Sequence, residues 1–266
     1  MLRAAARFRV AQWNARLRNC EMIQSAILLK HCNTAAETEF GRTHSLKRVR
    51  SYEDFKAQVP LRKYGDFESD LIRMRQGARD VLWPGLIPFY GQSSGSSSTA
   101  LQHKFLPISW EQIGWQKKAG FDLVARYLNL TGDRGFTGGF SLGLFPPSVL
   151  KTESPGVQVG SNPGIMLRHV PQLAKMITLP RQPIRDILDY DEKLTAIAET
   201  YFDYDVRSIS GTTCWFSVLF DRMLEVAKAR DLNFTKISEI WPNLRVLFGG
   251  GVHAEPYRKI IDERVG

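Results

Sequence analysis

Hydrophobic and polar positions along the chain recur mainly at helical spacing, with short apolar runs between the helical stretches. In the segment 214–230, Trp215, Leu219, Met223 and Val226 fall on one helical face. Near the N-terminus, Val10, Trp13, Leu17 and Cys20 share a face in the same way and predict one buried stripe. The same reasoning predicts a helical region over 4–60 with a capping box at Thr34 and Glu37, a helix that Ser109 caps, and further helices at 52–57, 67–75, 171–177 and 191–202.

The short apolar runs predict strands. One run leads into residue 93 and another leaves residue 104, an edge strand is expected within 136–144, and a further strand near 206–209. Residues 244–248 have the composition of a buried strand and run directly into three glycines. Strands that alternate with helices favour an α/β fold with a mixed, partly parallel sheet flanked by helices.

Composition limits the class of protein. The chain has 266 residues, of which 43% are hydrophobic and 24% charged, enough for one large domain or two small ones. No apolar run reaches the roughly 20 residues that span a bilayer. The three cysteines lack paired spacing and the five histidines are scattered, which argues against a disulfide framework and against a structural zinc site. We therefore expect a cytoplasmic protein that does not enter a membrane.

The net charge of +9 admits nucleic acid, an anionic membrane surface or phosphate-bearing substrates as partners. Basic residues cluster in the first twenty positions and at 47–50, but aromatic residues do not alternate with them. The acid-free, arginine-rich start also has the composition of an organelle transit peptide, although it lacks serines. Solvated helix faces explain the basic clusters most simply, so we expect neither a nucleic-acid nor a membrane partner.

A serine-rich segment is the first candidate site. Five of the six residues at 93–98 are serine, the sixth is Gly95, and Lys104 follows. Small hydroxyl side chains, a glycine backbone and an ammonium group suit a phosphate-binding turn. The spacing matches neither the common nucleoside-triphosphate loop nor the dinucleotide fingerprint, and the alternative is a flexible surface loop.

The glycines at 249–251 are the second candidate. A strand that ends in glycines lets the backbone approach a flat ring, since a Cβ there would occupy the ligand's place. Ligands of open α/β sheets bind beyond the carboxyl ends of the strands. The alternative is a tight turn into the next helix.

The third candidate site lies at the start of the helix near 214. Amide groups of a helix N-terminus hold carboxylates and acyl phosphates, which points to Thr213, and Trp215 with Phe216 could wall an apolar pocket for an acyl group. Core packing is the alternative for at least one of the two rings. Cys214 has no histidine or aspartate beside it in sequence, so a buried structural thiol is favoured over a nucleophile.

Several segments together resemble the acyl-acid amido synthetases, the auxin-conjugating enzymes of plants and their bacterial relatives, within the adenylating superfamily of acyl-CoA synthetases and luciferases. The resemblance extends over essentially the whole chain in the family's order. It rests on the serine loop and on residues 38–41, 51–55, 59–60, 81–85, 209–215, 241–244, 250–252 and 255–257.

The resemblance implies a fold and a reaction. The fold would be the N-terminal part of a luciferase-like adenylation domain. The enzyme would be a ligase that converts a small carboxylic acid and ATP to an acyl-adenylate and pyrophosphate, and then passes the acyl group to the amine of an amino acid. ATP and Mg²⁺ would be required, with the metal bridging phosphate oxygens and no residue of the chain assigned to the metal or to a catalytic role. Phosphate contacts would come from Ser93, Ser94, Gly95, Ser96, Ser97 and Lys104, adenine contacts from Gly250, Gly251 and Val252, and substrate contacts from Thr213, Trp215 and Phe216.

Two departures from the family pattern qualify these expectations. The loop lacks the family's second glycine and first lysine, and its two threonines are Ser96 and Ser97. The family's later motifs and its mobile C-terminal domain have no counterpart up to Gly266, so we expect 1–266 to be an incomplete N-terminal adenylation domain with little or no activity alone. A thioester-forming ligase and a degenerate, non-catalytic nucleotide-binding or interaction protein remain alternatives. The ligase hypothesis requires the turn near 95 to face the glycines near 250.

Overall fold

The computed structural model describes residues 2–93, 104–133 and 135–266. The chain divides into two compact units, which we call the first unit (Met1–Gly132 and Leu150–Met166) and the second unit (Asp133–Val149 and Leu167–Gly266). The helices are α1 Leu2–Arg18, α2 Cys20–Ala35, α3 Glu39–Thr43, α4 Tyr52–Gln58, α5 Glu68–Arg75, α6 Trp110–Thr131, α7 Asn162–Arg168, α8 Gln172–Ile177, α9 Tyr190–Tyr201, α10 Thr213–Ala229, α11 Ile237–Ile240 and α12 Glu255–Val265. The strands are β1 Phe89–Ser93, β2 Lys104–Ile108, β3 Phe140–Leu144, β4 Lys151–Ser154, β5 Val157–Gly160, β6 Thr178–Leu179, β7 Val206–Thr212 and β8 Val246–Gly250.

A four-stranded mixed sheet in the order β2-β1-β5-β4 organises the first unit. Strands β1 and β2 form an antiparallel hairpin, β5 pairs parallel with β1, and β4 pairs antiparallel with β5. In sequence, the segment that we predict to bind phosphate lies between these two strands. The strands expected on either side of that segment are confirmed.

The second unit contains a sheet whose four strands, in the order β6-β3-β7-β8, are all parallel. In chain order, β6 lies on one side of β3, whereas β7 and β8 lie on the other. The strand order therefore reverses between β3 and β7, and such a reversal leaves a crevice at the carboxyl edge of a parallel sheet. Helices α9, α10 and α11 bury their apolar faces in the same hydrophobic core as β3 and β7.

The helices predicted at 52–57, 67–75, 171–177, 191–202 and 214–230 are confirmed as α4, α5, α8, α9 and α10. The predicted cap of α6 is also confirmed, because the Ser109 hydroxyl accepts a hydrogen bond from the Gln112 amide at 3.2 Å. An amphipathic stripe and a capping side chain are local signals, which explains why they identify these elements.

Four local predictions are wrong. Thr34 lies in the last turns of α2, where its hydroxyl donates to the Lys30 carbonyl at 2.8 Å. The capping residue is Thr38, whose hydroxyl accepts from the Gly41 amide at 2.9 Å and begins α3. In the predicted N-terminal stripe, Leu17 of α1 and Cys20, the first residue of α2, are exposed.

The other two concern strands: the predicted edge strand β3 is interior to its sheet, and β8, expected to be buried, is a half-exposed edge strand. No helix among the described residues is long and apolar enough to cross a bilayer.

Candidate functional site

The carboxyl edge of the parallel sheet brings together two of the predicted sites. Strands β3, β7 and β8 end there at Leu144, Thr212 and Gly250, and the register pairs Leu144 with Gly211 and Thr212 with Gly250. Helix α10 begins at Thr213, directly after β7. The helix N-terminus and the glycine-ended strand, which are 37 residues apart in sequence from Thr213 to Gly250, are therefore direct neighbours.

Thr213 has an unusual environment for a hydroxyl side chain. It is 3% exposed, and its Oγ1 atom has no hydrogen-bond partner among the described residues. A buried, unpaired hydroxyl costs about 1–3 kcal/mol, so a native protein rarely keeps one without a reason. The amides of the first turn of α10 also lack partners within the helix and carry partial positive charge. An anionic ligand oxygen at this end of α10 would satisfy both.

The last two residues of β8, Gly249 and Gly250, and the next residue, Gly251, each have a different role. A Cβ on Gly249 would lie 2.6 Å from the Thr213 Oγ1 atom, so this position must be glycine for Thr213 to pack where it does. Gly251 has φ of 79°, a left-handed conformation that favours glycine. A Cβ on Gly250 would meet nothing within 4 Å. Packing and backbone conformation therefore explain Gly249 and Gly251, whereas Gly250 leaves open space beside the strand end, as a planar ligand would need.

The two aromatic residues after Cys214 have different environments. Phe216 is buried in the hydrophobic core of the second unit. Trp215 is partly buried and packs on Tyr190 with 4.0 Å between ring centroids and 39° between ring planes. Burial raises the pKa of Tyr190 to about 12, so its hydroxyl stays protonated at neutral pH. Trp215 and Tyr190 form an aromatic wall beside the start of α10, and the substrate role of Phe216 stays a prediction.

A buried lysine on α9, which we did not predict from the sequence, donates a hydrogen bond to the segment that follows β3. Lys193 on α9 is 1% exposed, and its amine donates to the Phe145 carbonyl at 2.8 Å and the Arg185 carbonyl at 2.7 Å. Burial lowers the pKa of Lys193 to about 8. Its sequence signal was its position beside Leu194 on the apolar face of α9, where a lysine is out of place.

The Asp186 carboxylate also binds the segment that follows β3. Asp186 accepts hydrogen bonds from both the amide and the hydroxyl of Ser148, and from the Gln182 side chain at 2.6 Å. Ser148 is itself buried. Lys193 and Asp186 together hold residues 145–148, which leave the carboxyl end of β3, in one conformation.

In the first unit, Ser93 pairs with Lys104 across the β1–β2 hairpin. The Lys104 amine lies 5.6 Å from the centroid of the Tyr64 ring, and the Tyr64 hydroxyl accepts a hydrogen bond from the Phe105 amide at 2.8 Å. The predicted phosphate contacts of Ser94, Gly95, Ser96 and Ser97 lie outside the described residues. They stay predictions, as does the expectation that the turn near 95 faces the glycines near 250.

Comparison with known families decides the class of protein. Residues 9–201 match the model described as the GH3 family N-terminal domain. The chain belongs to the GH3 family. The family that the sequence resemblance indicated is thereby confirmed.

Solved structures agree on the fold. The chain is similar to the AtGH3.15 acyl acid amido synthetase in complex with 2,4-DB, with a TM-score of 0.76, 14% identity, and coverage of 92% of this chain and 51% of that one. A second structure, described as GH3.15 acyl acid amido synthetase, gives a TM-score of 0.69, 14% identity, and coverage of 95% and 53%. The chain spans about half the length of these structures. Among curated proteins, none matches.

In this GH3 chain, the donors at the start of α10 fit an adenine nucleotide or an acyl carboxylate, because both present anionic oxygens. For a metal ion, the described residues contain no group of three or more histidine, cysteine, aspartate or glutamate side chains that could hold one.

Proposed function

We propose that this GH3 chain contributes the nucleotide-binding and acyl-binding elements of an ATP-dependent acyl-acid amido synthetase that works in the cytoplasm. The observation that carries the proposal is the buried Thr213 hydroxyl at the start of α10, which lies next to the glycine end of β8 and has no partner in the described part of the chain. Family membership supplies the reaction class. The first amides of α10 offer further hydrogen-bond donors, and Gly250 leaves open space at the end of the strand.

In the proposed reaction, ATP with Mg²⁺ supplies the adenylyl group that makes a small carboxylic acid reactive, pyrophosphate leaves, and the amine of an amino acid then displaces AMP to form an amide. Thr213 and the first amides of α10 would hold a carboxylate or phosphate oxygen. The edge at Gly250, Gly251 and Val252 would accept the adenine ring. Trp215 with Tyr190 would offer an apolar surface to the acyl group.

The hairpin of the first unit would contribute the phosphate contacts. Ser93 and Lys104 lie opposite each other in the register of the two strands, at the described end of the hairpin. An ammonium group offsets the negative charge that develops on transferred phosphates, and this electrostatic contribution dominates catalysis of phosphoryl-type transfer. Replacing Lys104 is therefore the most direct test of the proposed phosphate contacts.

A titration of ATP with Mg²⁺ by isothermal calorimetry tests the nucleotide site. We expect the wild-type chain to bind and Lys104→Ala to bind about tenfold or more weakly, because a charge-assisted hydrogen bond contributes about 1.5–3 kcal/mol. Lys56→Ala is a matched control, since the Lys56 amine also lies over a tyrosine ring, at 5.3 Å from the Tyr52 centroid. Its affinity should equal that of the wild type. Equal affinities of Lys104→Ala and wild type would reject the role of Lys104.

A second candidate function is that of a degenerate, non-catalytic interaction protein. The serine loop favours this candidate, because the loop lacks the second glycine and first lysine that the resemblance implies. No binding of ATP by the wild-type chain would favour this candidate over the ligase. Carboxylic-acid-dependent exchange of labelled pyrophosphate into ATP would show adenylation directly and would exclude it.

A further inference from the structure

The first unit contains a cavity of about 620 Å³ that takes no part in the site described above. Its walls come from α2, from the end of α5 and the stretch that follows it, from the end of β2 and from the start of α6. The apolar lining includes Ile27, Leu82, Trp83, Ile87 and Trp115. Neither Ser93 nor Lys104 lines it. Cavities of about 300–1,000 Å³ are the size that encloses small organic ligands.

The cavity has a buried floor and an open entrance. Met74 and Ile87 are almost fully buried, whereas Ile27 is 46% exposed and Trp115 is similarly exposed. The Trp83 ring stands edge-on to His31, with ring centroids 5.5 Å apart and planes at 63°. Aromatic rings favour such edge-to-face and offset contacts with other rings. A planar aromatic molecule could therefore enter from solvent and find ring partners inside.

The charged groups of the lining satisfy each other. The Lys30 amine donates to the Glu111 carboxylate at 2.6 Å, and this hydrogen bond lowers the pKa of Glu111. An anionic ligand would have to compete with Glu111 for Lys30, and a cationic ligand with Lys30 for Glu111. Ser109 and Gln112 remain as neutral polar groups that could orient one polar substituent.

We propose that this cavity is a binding site for an uncharged, planar aromatic molecule of two or three rings. The ligand class differs from the carboxylate substrates of the proposed function, because it carries no charge. The inference rests on the volume, the aromatic walls and the internal ion pair, so it stands whether or not the chain binds ATP.

Fluorescence titration of the full chain with N-phenyl-1-naphthylamine, an uncharged probe that brightens in apolar surroundings, tests this site. We expect saturable binding with a dissociation constant on the order of 10 µM. The uncharged competitor 2-naphthol should displace the probe at concentrations at least about tenfold lower than 2-naphthoate does, since burying a carboxylate beside Glu111 is costly. Absence of saturation, or equal displacement by both competitors, would overturn the proposal.

Two variants of α2 locate the bound probe. Ile27→Trp places a bulky indole ring at the entrance of the cavity and should weaken probe binding about tenfold or more. Met22→Trp adds the same ring at a position of the same helix that is 67% exposed and does not line the cavity, so binding should stay within about twofold of wild type. Equal effects of the two substitutions would refute the location.

Two further controls concern α6 and self-association. Phe121→Ala removes an exposed ring of α6 from a neighbouring depression, which shares only Trp115 with the cavity, and should leave probe binding unchanged. Loss of binding in Phe121→Ala would place the probe in that depression and contradict the proposal. Sedimentation of the wild-type chain with increasing concentration completes the test, because a dimer that excludes the probe would identify a second copy as the occupant instead.

Discussion

Replacing Thr213 by valine should make the ligand-free protein more stable while weakening ligand binding. Valine keeps the shape of threonine and removes the hydroxyl that has no partner among the described residues. An unsatisfied buried hydroxyl costs about 1–3 kcal/mol, and the intrinsic helix preferences of threonine and valine are nearly equal. The new methyl group lies close to Gly249, which offsets part of the gain. We therefore expect the free energy of unfolding to rise by about 1 kcal/mol.

Ser208→Ala is a matched control of opposite sign. Ser208 is as buried as Thr213 and lies on β7 five residues earlier, but its hydroxyl donates to the Ser141 hydroxyl on β3 at 2.9 Å. Removing this donor leaves Ser141 without that bond, so the free energy of unfolding should fall by about 1 kcal/mol. Removing a buried hydroxyl should thus stabilise the protein at one position and destabilise it at the other.

Urea unfolding followed by circular dichroism measures both effects. The midpoint should rise for Thr213→Val and fall for Ser208→Ala, with an unchanged dependence on urea concentration. Binding of Mg²⁺-ATP to Thr213→Val should weaken about tenfold or more, because the lost hydrogen bond would be to an anionic oxygen. A Thr213→Val protein that is less stable than wild type by more than about 0.5 kcal/mol would show that the hydroxyl is already satisfied, and would contradict the proposed ligand contact.

Two further predictions concern β8 and the buried lysine. Gly249→Ala should lower the free energy of unfolding by about 1–3 kcal/mol, because its Cβ would lie 2.6 Å from the Thr213 Oγ1 atom. Gly250→Ala should lower it much less, because its Cβ would meet nothing within 4 Å, but should weaken ATP binding. Thermal unfolding measures the change in stability, and calorimetry measures the change in ATP binding. Burial lowers the pKa of Lys193 from 10.5 to about 8, so the unfolded chain binds more protons between these values and the free energy of unfolding should rise with pH across that interval. Urea unfolding at pH 7.5, 9 and 10 should show this rise in wild type and not in Lys193→Met, and equal slopes would contradict it.

Local sequence signals identified the helices of this fold but not the arrangement of its strands. The cap at Ser109 and the apolar face of α10 are properties of a few consecutive residues, and both are confirmed. The interior position of β3 depends on pairing with β6 and β7, far away in sequence, and β6 itself has two residues, too few for a pattern.

The candidate site shows the same division. Thr213 and Gly250 were each identified from their own neighbours, whereas the pairing of Thr212 with Gly250 is a matter of register between strands that sequence does not reveal. Lys193 was missed because a lysine in an amphipathic helix normally faces solvent. Only its alignment with the buried face of α9 indicates otherwise.

The proposed function depends above all on the carboxyl edge of the parallel sheet, where the start of α10 and the glycine end of β8 would bind one nucleotide. Amide NMR shifts of the isotope-labelled chain, followed during a titration with Mg²⁺-ATP, measure binding at both places. We expect saturable shifts with a common dissociation constant at 212–213 and at 249–252. Shifts at only one of these places, or none at saturating nucleotide, would contradict the proposed site.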